Sequence, residues 1–359
     1  MDESVPGIKF DRVGQCNFCT DLLVDWNDRL SPTEVNRSEA RVAFIDRVKT
    51  SGRGRAYDCV VGVSGGVDSS WVLVNVVRLG LRPLAVHMDN GWNSELAQNN
   101  IASLVRGLGV DLYTHVIDWD EYRRLMQAFF DADVIDIELL YDNAMLAVNY
   151  EQAARHGLRW ILAGTNTSTE GMRMPAGWNW NKFDATNIRS ISRSFGGPKL
   201  QTFPVVSTFR RLWYRRVRGI TWASFLDLLD YRKDAAVDEL RTSFGFRPYP
   251  YKHYESVFTR FYQGYILPQK FGVDKRRLHL STLVVTGQLS RQAALDDLAR
   301  MPYPSQSELD SDRSYFLKKM LWTASQFDDY IKRPPRPHTD YRTELRLLRT
   351  LRDLGRGKR

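Results

Sequence analysis

The sequence predicts a doubly wound α/β fold, a parallel sheet with helices on both faces. Three observations predict it. Short apolar runs of strand type recur at CVVGV (59–63), PLAVHMDNG (83–91), DLYTHVID (111–118) and LRWILAGTN (158–166). Segments of helical length separate them, and two of these end at glycines that stop helices, Gly80 and Gly109. Strands joined through helices of this length pair in parallel with right-handed crossovers.

The elements follow in order. Residues 1–30 carry a cysteine pair in PGIKFDRVGQCNFC. Residues 33–49 read as a helix whose apolar side is Ala40, Val42, Ala43, Phe44, Ile45 and Val48. SGRGR (51–55) is a loop, and the βα alternation starts after it, with helices after the first two strands and at 138–156. The alternation stops near Thr202, and helical patterns follow. LSRQAALDDLAR (289–300) has a cap at Ser290 and a stop at Pro302. RPPRP (333–337) is an extended linker, and 343–355 is a short amphipathic helix. The expected division is a Cys-containing segment (1–50), an α/β nucleotide-binding domain (51–205), a mostly helical substrate or partner region (206–330) and a basic tail (331–359).

The totals exclude several classes. A chain of 359 residues with 43% hydrophobic and 26% charged residues is globular. No apolar run is long enough to span a membrane, and MDESVPGIKF lacks the pattern of a signal peptide. Three cysteines point to a reducing compartment, the cytoplasm. The net charge of +9 first suggests nucleic acid. Residues 331–359, however, hold ten Lys and Arg against Asp340, Glu344 and Asp353, so the tail carries +7 and the body +2. A near-neutral body with a solvated basic tail argues against nucleic acid.

The first strand runs into SGGVDSS (64–70). In a parallel sheet, ligands bind at the carboxyl ends of strands. Gly65 and Gly66 let backbone N–H groups turn toward an anion, and the next helix adds its positive end. Ser64 and Ser69 can donate hydroxyl hydrogen bonds to the same anion. Asp68 repels a phosphate directly, so it makes sense as a ligand of a Mg²⁺ that bridges phosphates. The loop is neither GxxxxGK[ST] nor GxGxxG.

SGGVDS resembles the PP-loop of the ATP pyrophosphatase superfamily, a fold of the HUP-like type. The resemblance implies ATP cleaved between its α and β phosphates, with Mg²⁺. It places Met88 and Asp89 of HMDNGW at adenine, and Gly164, Thr165 and Asn166 of GTNTSTEG at the nucleotide. It gives Glu170 a Mg²⁺-binding role by position, and Lys182 and Asp184 of NKFDATN the role of a catalytic lysine–acid pair beside Asp68.

Residues 252–295, KHYESVFTRFYQGYILPQKFGVDKRRLHLSTLVVTGQLSRQAAL, look like the N-acetyl sugar amidotransferase family, as do PGIKFDRVGQCNFC and NTSTEGMRMPAGWNW. The resemblance covers about residues 1 to 304. It implies conversion of the acetamido group of a nucleotide sugar to an acetamidino group, in surface polysaccharide pathways. Transfer of AMP to the amide oxygen activates a poor electrophile, and ammonia displaces the AMP. Lys252, His253, Lys270, Lys275 and Arg276 are then the candidate ligands of the sugar-nucleotide diphosphate, with Arg277 beside them. The interleaved aromatics Tyr254, Phe258, Phe261, Tyr262 and Tyr265 read first as core.

No cysteine is placed as a glutaminase nucleophile: residue 2 is Asp, and Cys59 lies inside the first strand. Ammonia is therefore expected from a separate glutaminase subunit, which the resemblance also implies. FRRLWYRRVR (209–218) is a candidate docking surface, or simply a basic outer helix. Cys16 and Cys19 have the spacing of half a zinc site. Family members carry an earlier CxxC, so either half of a Zn²⁺ site was lost or the natural chain starts upstream of Met1; the reading favours the second. A rival reading is a tRNA-modifying PP-loop enzyme, a thiolase or a lysidine-type ligase. The cysteine pair and the basic tail support it, and residues 252–295 oppose it.

Overall fold

The computed structural model of the chain describes residues 1–30, 34–249 and 254–345. Five strands form one parallel sheet: β1 (Cys59–Gly62), β2 (Pro83–Asp89), β3 (Asp111–Val116), β4 (Trp160–Ala163) and β5 (Thr221–Ser224). Their order is β3-β2-β1-β4-β5. Val60 lies opposite both Leu84 and Ile161, so β1 sits at the centre. The chain winds from β1 outward to β3, then returns to β4 on the other side of β1. The loops after β1 and β4 part at this point, which opens a crevice at the carboxyl end of the sheet.

Helices α1 (Asn17–Leu30) and α2 (Glu34–Ser51) precede the sheet. Helices α3 (Val67–Arg78) and α4 (Glu95–Leu108) follow β1 and β2, while α5 (Trp119–Asp131) and α6 (Glu138–Arg155) lie between β3 and β4. Helices α7 (Thr167–Glu170), α8 (Ala185–Ser194) and α9 (Thr208–Arg216) lead to β5, and α10 (Lys233–Phe244) comes after it. The C-terminal region is helical: α11 (Val257–Phe261) runs into a π-helix (Tyr262–Phe271), then come α12 (Arg276–Val285), α13 (Arg291–Ala299), α14 (Gln306–Met320) and α15 (Ala324–Lys332).

Side chains alternate across the sheet as strand geometry requires. Val60, Leu84, Val86, Met88 and Ile161 enter a large core with α5, α6, α8 and the C-terminal helices. Cys59, Val61, Val63, Ala85 and Leu162 enter a smaller core with α2, α3, α4 and α10. Trp92, in the loop after β2, has its ring 5.4 Å from Phe258 and 6.1 Å from Phe316. The aromatics of the 254–265 block are core: Phe258, Phe261 and Tyr262 are buried, and Tyr265 stacks on Phe261.

The doubly wound sheet and the helical C-terminal region agree with the sequence reading. Several elements escape it, among them α1, α5, α8 and β5. Helix α5 is capped by Asp118, whose side chain accepts from Glu121 N–H, an acid-x-x-acid signal present in the sequence. Strand β5 shows that the alternation does not stop at Thr202. TWAS is too short and too mixed to read as a strand, being a half-buried edge. The helix expected at 343–355 lies largely outside the described residues. Among the described residues no helix is long and apolar enough to cross a membrane.

Candidate active site

Helix α3 begins at Val67, so Ser64, Gly65 and Gly66 form the turn between β1 and the helix. Gly65 has φ +82°, and a Cβ there would meet the Ala97 carbonyl oxygen at 2.7 Å. Only glycine lets the loop pass the first turn of α4. No side chain caps α3 at Gly66, whereas Ser94 and Asp118 cap α4 and α5. The loop is held by its serines: Ser64 Oγ lies 3.1 Å from Ser69 Oγ and accepts from Gly66 N–H at 3.2 Å. Gly65→Ala is expected to cost about 1–3 kcal/mol through backbone strain, and to abolish pyrophosphate binding. Urea unfolding and calorimetry with inorganic pyrophosphate read the two effects.

Gly164 ends β4 against this turn. A Cβ there would lie 2.9 Å from Asp68 C and Ser69 N, so its absence lets β4 touch α3. Thr165 Oγ1 pairs with Ser224 Oγ at 3.0 Å, and Asn166 caps α7 by accepting from Thr169 N–H at 2.8 Å. Asp227 accepts from Thr167 N–H at 2.7 Å. Glu170 closes α7. The hydroxyl of Tyr231 donates to Asp68 Oδ1. Burial raises the pKa of that hydroxyl, and the charges of Asp68 and Glu170 raise it further. Helix α3 follows β1 and α7 follows the neighbouring β4, so Asp68 and Glu170 both lie at the carboxyl end of the sheet. Their oxygens suit a hard cation that is completed by phosphate oxygens and water.

The loop after β2 is tied to β1. His87 Nδ1 donates to the Val63 carbonyl at 2.9 Å, since a carbonyl only accepts, and Nε2 then accepts from Asn93 at 3.0 Å. Burial lowers the His87 pKa and keeps the ring neutral. Asp89 accepts from Gly91 N–H at 2.8 Å and Asn93 at 3.1 Å, so its side chain shapes the turn. The Met88 side chain is buried in the large core. Glu255 reaches the opposite rim: a Cβ on Gly66 would lie 3.6 Å from its Oε1. Its backbone carbonyl accepts from Ser94 N–H at 2.8 Å.

Lys182 sits in a buried charge cluster at the start of α6. Its ammonium donates to Asp136 at 2.7 and 2.9 Å and pairs with Asp142 at 2.8 Å. Lys275 donates to Glu138 at 2.6 Å, and Gln263 to the same carboxylate at 2.8 Å. Burial alone would raise the Asp136 and Glu138 pKa values, yet the two lysines hold both below the usual range. Asp142 is raised, by burial and by the neighbouring acids. Burial raises the Tyr141 hydroxyl, as do the charges of Asp142, Glu255 and Asp89.

Other expectations need correction. Lys182 and Asp184 are no pair. Asp184 is fully buried and caps α8, accepting from Asn187 N–H and Trp180 Nε1 at 3.0 Å and Glu344 N–H at 3.1 Å. The partners of Lys182 lie some forty residues upstream, beyond any local pattern. The cations of the 252–295 block are engaged within the fold. Lys270 donates to the carbonyls of Tyr330 and Arg333 at 2.6 and 2.7 Å and pairs with Asp133 at 3.0 Å. Arg276 pairs with Asp274 at 2.8 Å and donates to the Asp297 and Arg300 carbonyls at 3.0 Å. Lys275 serves Glu138, and Arg277 pairs with Asp2 at 2.8 Å. Lys252 and His253 lie outside the described residues.

The thiols do not make a zinc site. Cys16 and Cys19 sulfurs are 3.4 Å apart, and among the described residues no three His, Cys, Asp or Glu are grouped to hold a metal ion. Burial and the adjacent Cys16 push the Cys19 thiol up to about 11. Cys59 is fully buried and its thiol is pushed up by burial, which removes it as a nucleophile. Residues 209–218 form α9 and its exit, with Phe209, Leu212, Trp213 and Val217 exposed. A cleft of about 550 Å³ lies beside them, lined by Glu151, Arg155, Arg210 and Trp213 at the end of α6 away from Glu138.

The chain is an α/β protein whose five-stranded parallel sheet carries SGGVDS at its switch point. Residues 255–352 match the family model of LPS biosynthesis protein WbpG-like, C-terminal domain. Comparison with curated proteins gives no match. Among solved structures, NMN synthetase from Francisella tularensis is 14% identical, covers 58% of this chain and 93% of its own, and has a TM-score of 0.31. The predicted subunit of tRNA methyltransferase from Methanocaldococcus jannaschii is 14% identical over 51% of this chain and 75% of its own, with a TM-score of 0.29. Likenesses of this size bear on neither substrate nor reaction.

Proposed function

We propose that the chain is an ATP-dependent N-acetyl sugar amidotransferase, converting the acetamido group of a nucleotide sugar to an acetamidino group. The observation that carries the ATP chemistry is the loop itself: a helix start with no side-chain cap, Gly65 packed on α4, Gly164 packed on α3, and the Asp68 carboxylate bonded by the Tyr231 hydroxyl. The residues fit a Mg²⁺-bound triphosphate. When bound, ATP would supply an activated phosphorus to the amide oxygen, with pyrophosphate leaving. Ser64, Ser69 and the glycine N–H groups would hold the departing phosphates, and Asp68 and Glu170 would hold the cation. The WbpG-like match over 255–352 supports the LPS setting and a nucleotide-sugar substrate.

With Lys270 and Lys275 engaged in ion pairs, Lys252 and His253, which lie outside the described residues, stand as the candidate ligands of the sugar diphosphate. Ammonia would come from a glutaminase partner, for which the exposed apolar and basic surface of α9 is a candidate. The test is mass spectrometry of UDP-acetamido sugars incubated with ATP, Mg²⁺ and ammonium. The expected product is lighter by about 1 unit, as O becomes NH, with one pyrophosphate and one AMP per product, the amide oxygen leaving in the AMP. Pyrophosphate release that depends on tRNA and ignores every sugar would overturn the reading.

A further inference from the structure

Residues 225–249, after β5, form a strap over the glycine loop. Phe225, Leu226, Leu229, Ala236, Leu240 and Phe246 seat it in the smaller core against α3 and α4. A tyrosine stands before and after α10. Tyr231 is 4% exposed, and its hydroxyl donates to Asp68 Oδ1. Tyr249 donates to the Gly65 carbonyl at 2.9 Å. Asn100, itself buried, fixes the second contact: it donates to Tyr249 Oη at 3.3 Å and exchanges bonds with the Arg247 backbone at 2.9 and 3.0 Å.

These two contacts act on different parts of the loop. In a planar trans peptide the C=O and the next N–H point in opposite directions. The bond from Tyr249 to Gly65 O therefore turns Gly66 N–H away from the strap, toward Ser64 Oγ. The bond from Tyr231 occupies one acceptor site of the Asp68 carboxylate and so restricts its rotation.

We infer that Tyr231 and Tyr249 are positioning residues of the anion site: Tyr231 aims the Asp68 carboxylate at a divalent cation, and Tyr249 aims the Gly65–Gly66 peptide at the phosphate. The inference rests on the phosphate-loop reading above. It separates a metal-linked role from a phosphate-linked role within one strap.

Calorimetry of the full chain with inorganic pyrophosphate, with and without Mg²⁺, tests it. Tyr231→Phe should weaken pyrophosphate binding about 10-fold in Mg²⁺ and leave metal-free binding unchanged, in line with the effect of losing a partner behind a metal ligand. Tyr249→Phe should weaken binding several-fold in both conditions, and Asn100→Ala, which leaves the loop sequence intact, should repeat that result. Two Phe variants that bind like the unaltered chain, or that lose affinity equally with and without Mg²⁺, overturn the inference while the loop reading stands. An unaltered chain that fails to bind pyrophosphate in either condition overturns both.

Discussion

Asp68→Asn is expected to lower sugar-dependent pyrophosphate release by a factor of about 10² or more, the scale seen when one preorganised group facing developing charge is removed. The exchange is isosteric, and the Tyr231 hydroxyl can still donate to the amide oxygen, so the fold should persist. The reason for the loss is charge. A carboxylate in the first turn of α3 faces a site built for an anion, and it contributes only through a cation between them. The assay is pyrophosphate release with ATP, Mg²⁺ and ammonium, beside a thermal melt. Full activity in the variant would remove Asp68 from the chemistry and with it the metal-bridged reading of SGGVDS.

Lys182→Met should act on stability first. Asp136 is fully buried and Asp142 is partly so, and both take their countercharge from the Lys182 ammonium. Removing one partner of a buried ion pair costs about 3–5 kcal/mol. The pH dependence gives the sign. In the unaltered chain Asp136 and Glu138 lie below the usual carboxylate range, so their contribution is present above about pH 4 and lost on acidification. Without Lys182, burial dominates at Asp136 and Asp142 and pushes them above the unfolded value, while Glu138 keeps Lys275. The deficit of the variant is then greatest at high pH and shrinks as the carboxyls take up protons. Urea unfolding at pH 8 and pH 5 should show the larger deficit at pH 8; an equal deficit at both would show that packing, not charge, holds the cluster.

What the sequence made legible follows the range of each signal. The strands, the glycine turn and the cap at Ser290 are local, set by residues a few positions apart, and they stand where the pattern put them. The partners of each charged group are not local. Lys270 looks like a phosphate ligand by type, but Asp133 claims it from far upstream. Asp184 looks catalytic beside Lys182, yet Thr343 and Glu344 reach it from the far end of the chain. Glu255, Tyr231 and Tyr249 carry no motif, and only the packing of the strap and the C-terminal block brings them to the loop. Helix α5 was readable from Asp118 and Glu121, whereas nothing in TWAS marks β5.

Trp92 has a further consequence. It follows the strand whose end shapes the nucleotide crevice, yet its indole is walled by Phe258, Tyr315 and Phe316 from the C-terminal helices. The half that would activate ATP and the half that matches a WbpG-like domain thus solve one packing problem together. Such a chain cannot be assembled from interchangeable modules. A C-terminal block borrowed from another source would have to bring matching aromatic walls, so lineages of this architecture should diversify by altering loops rather than by trading halves.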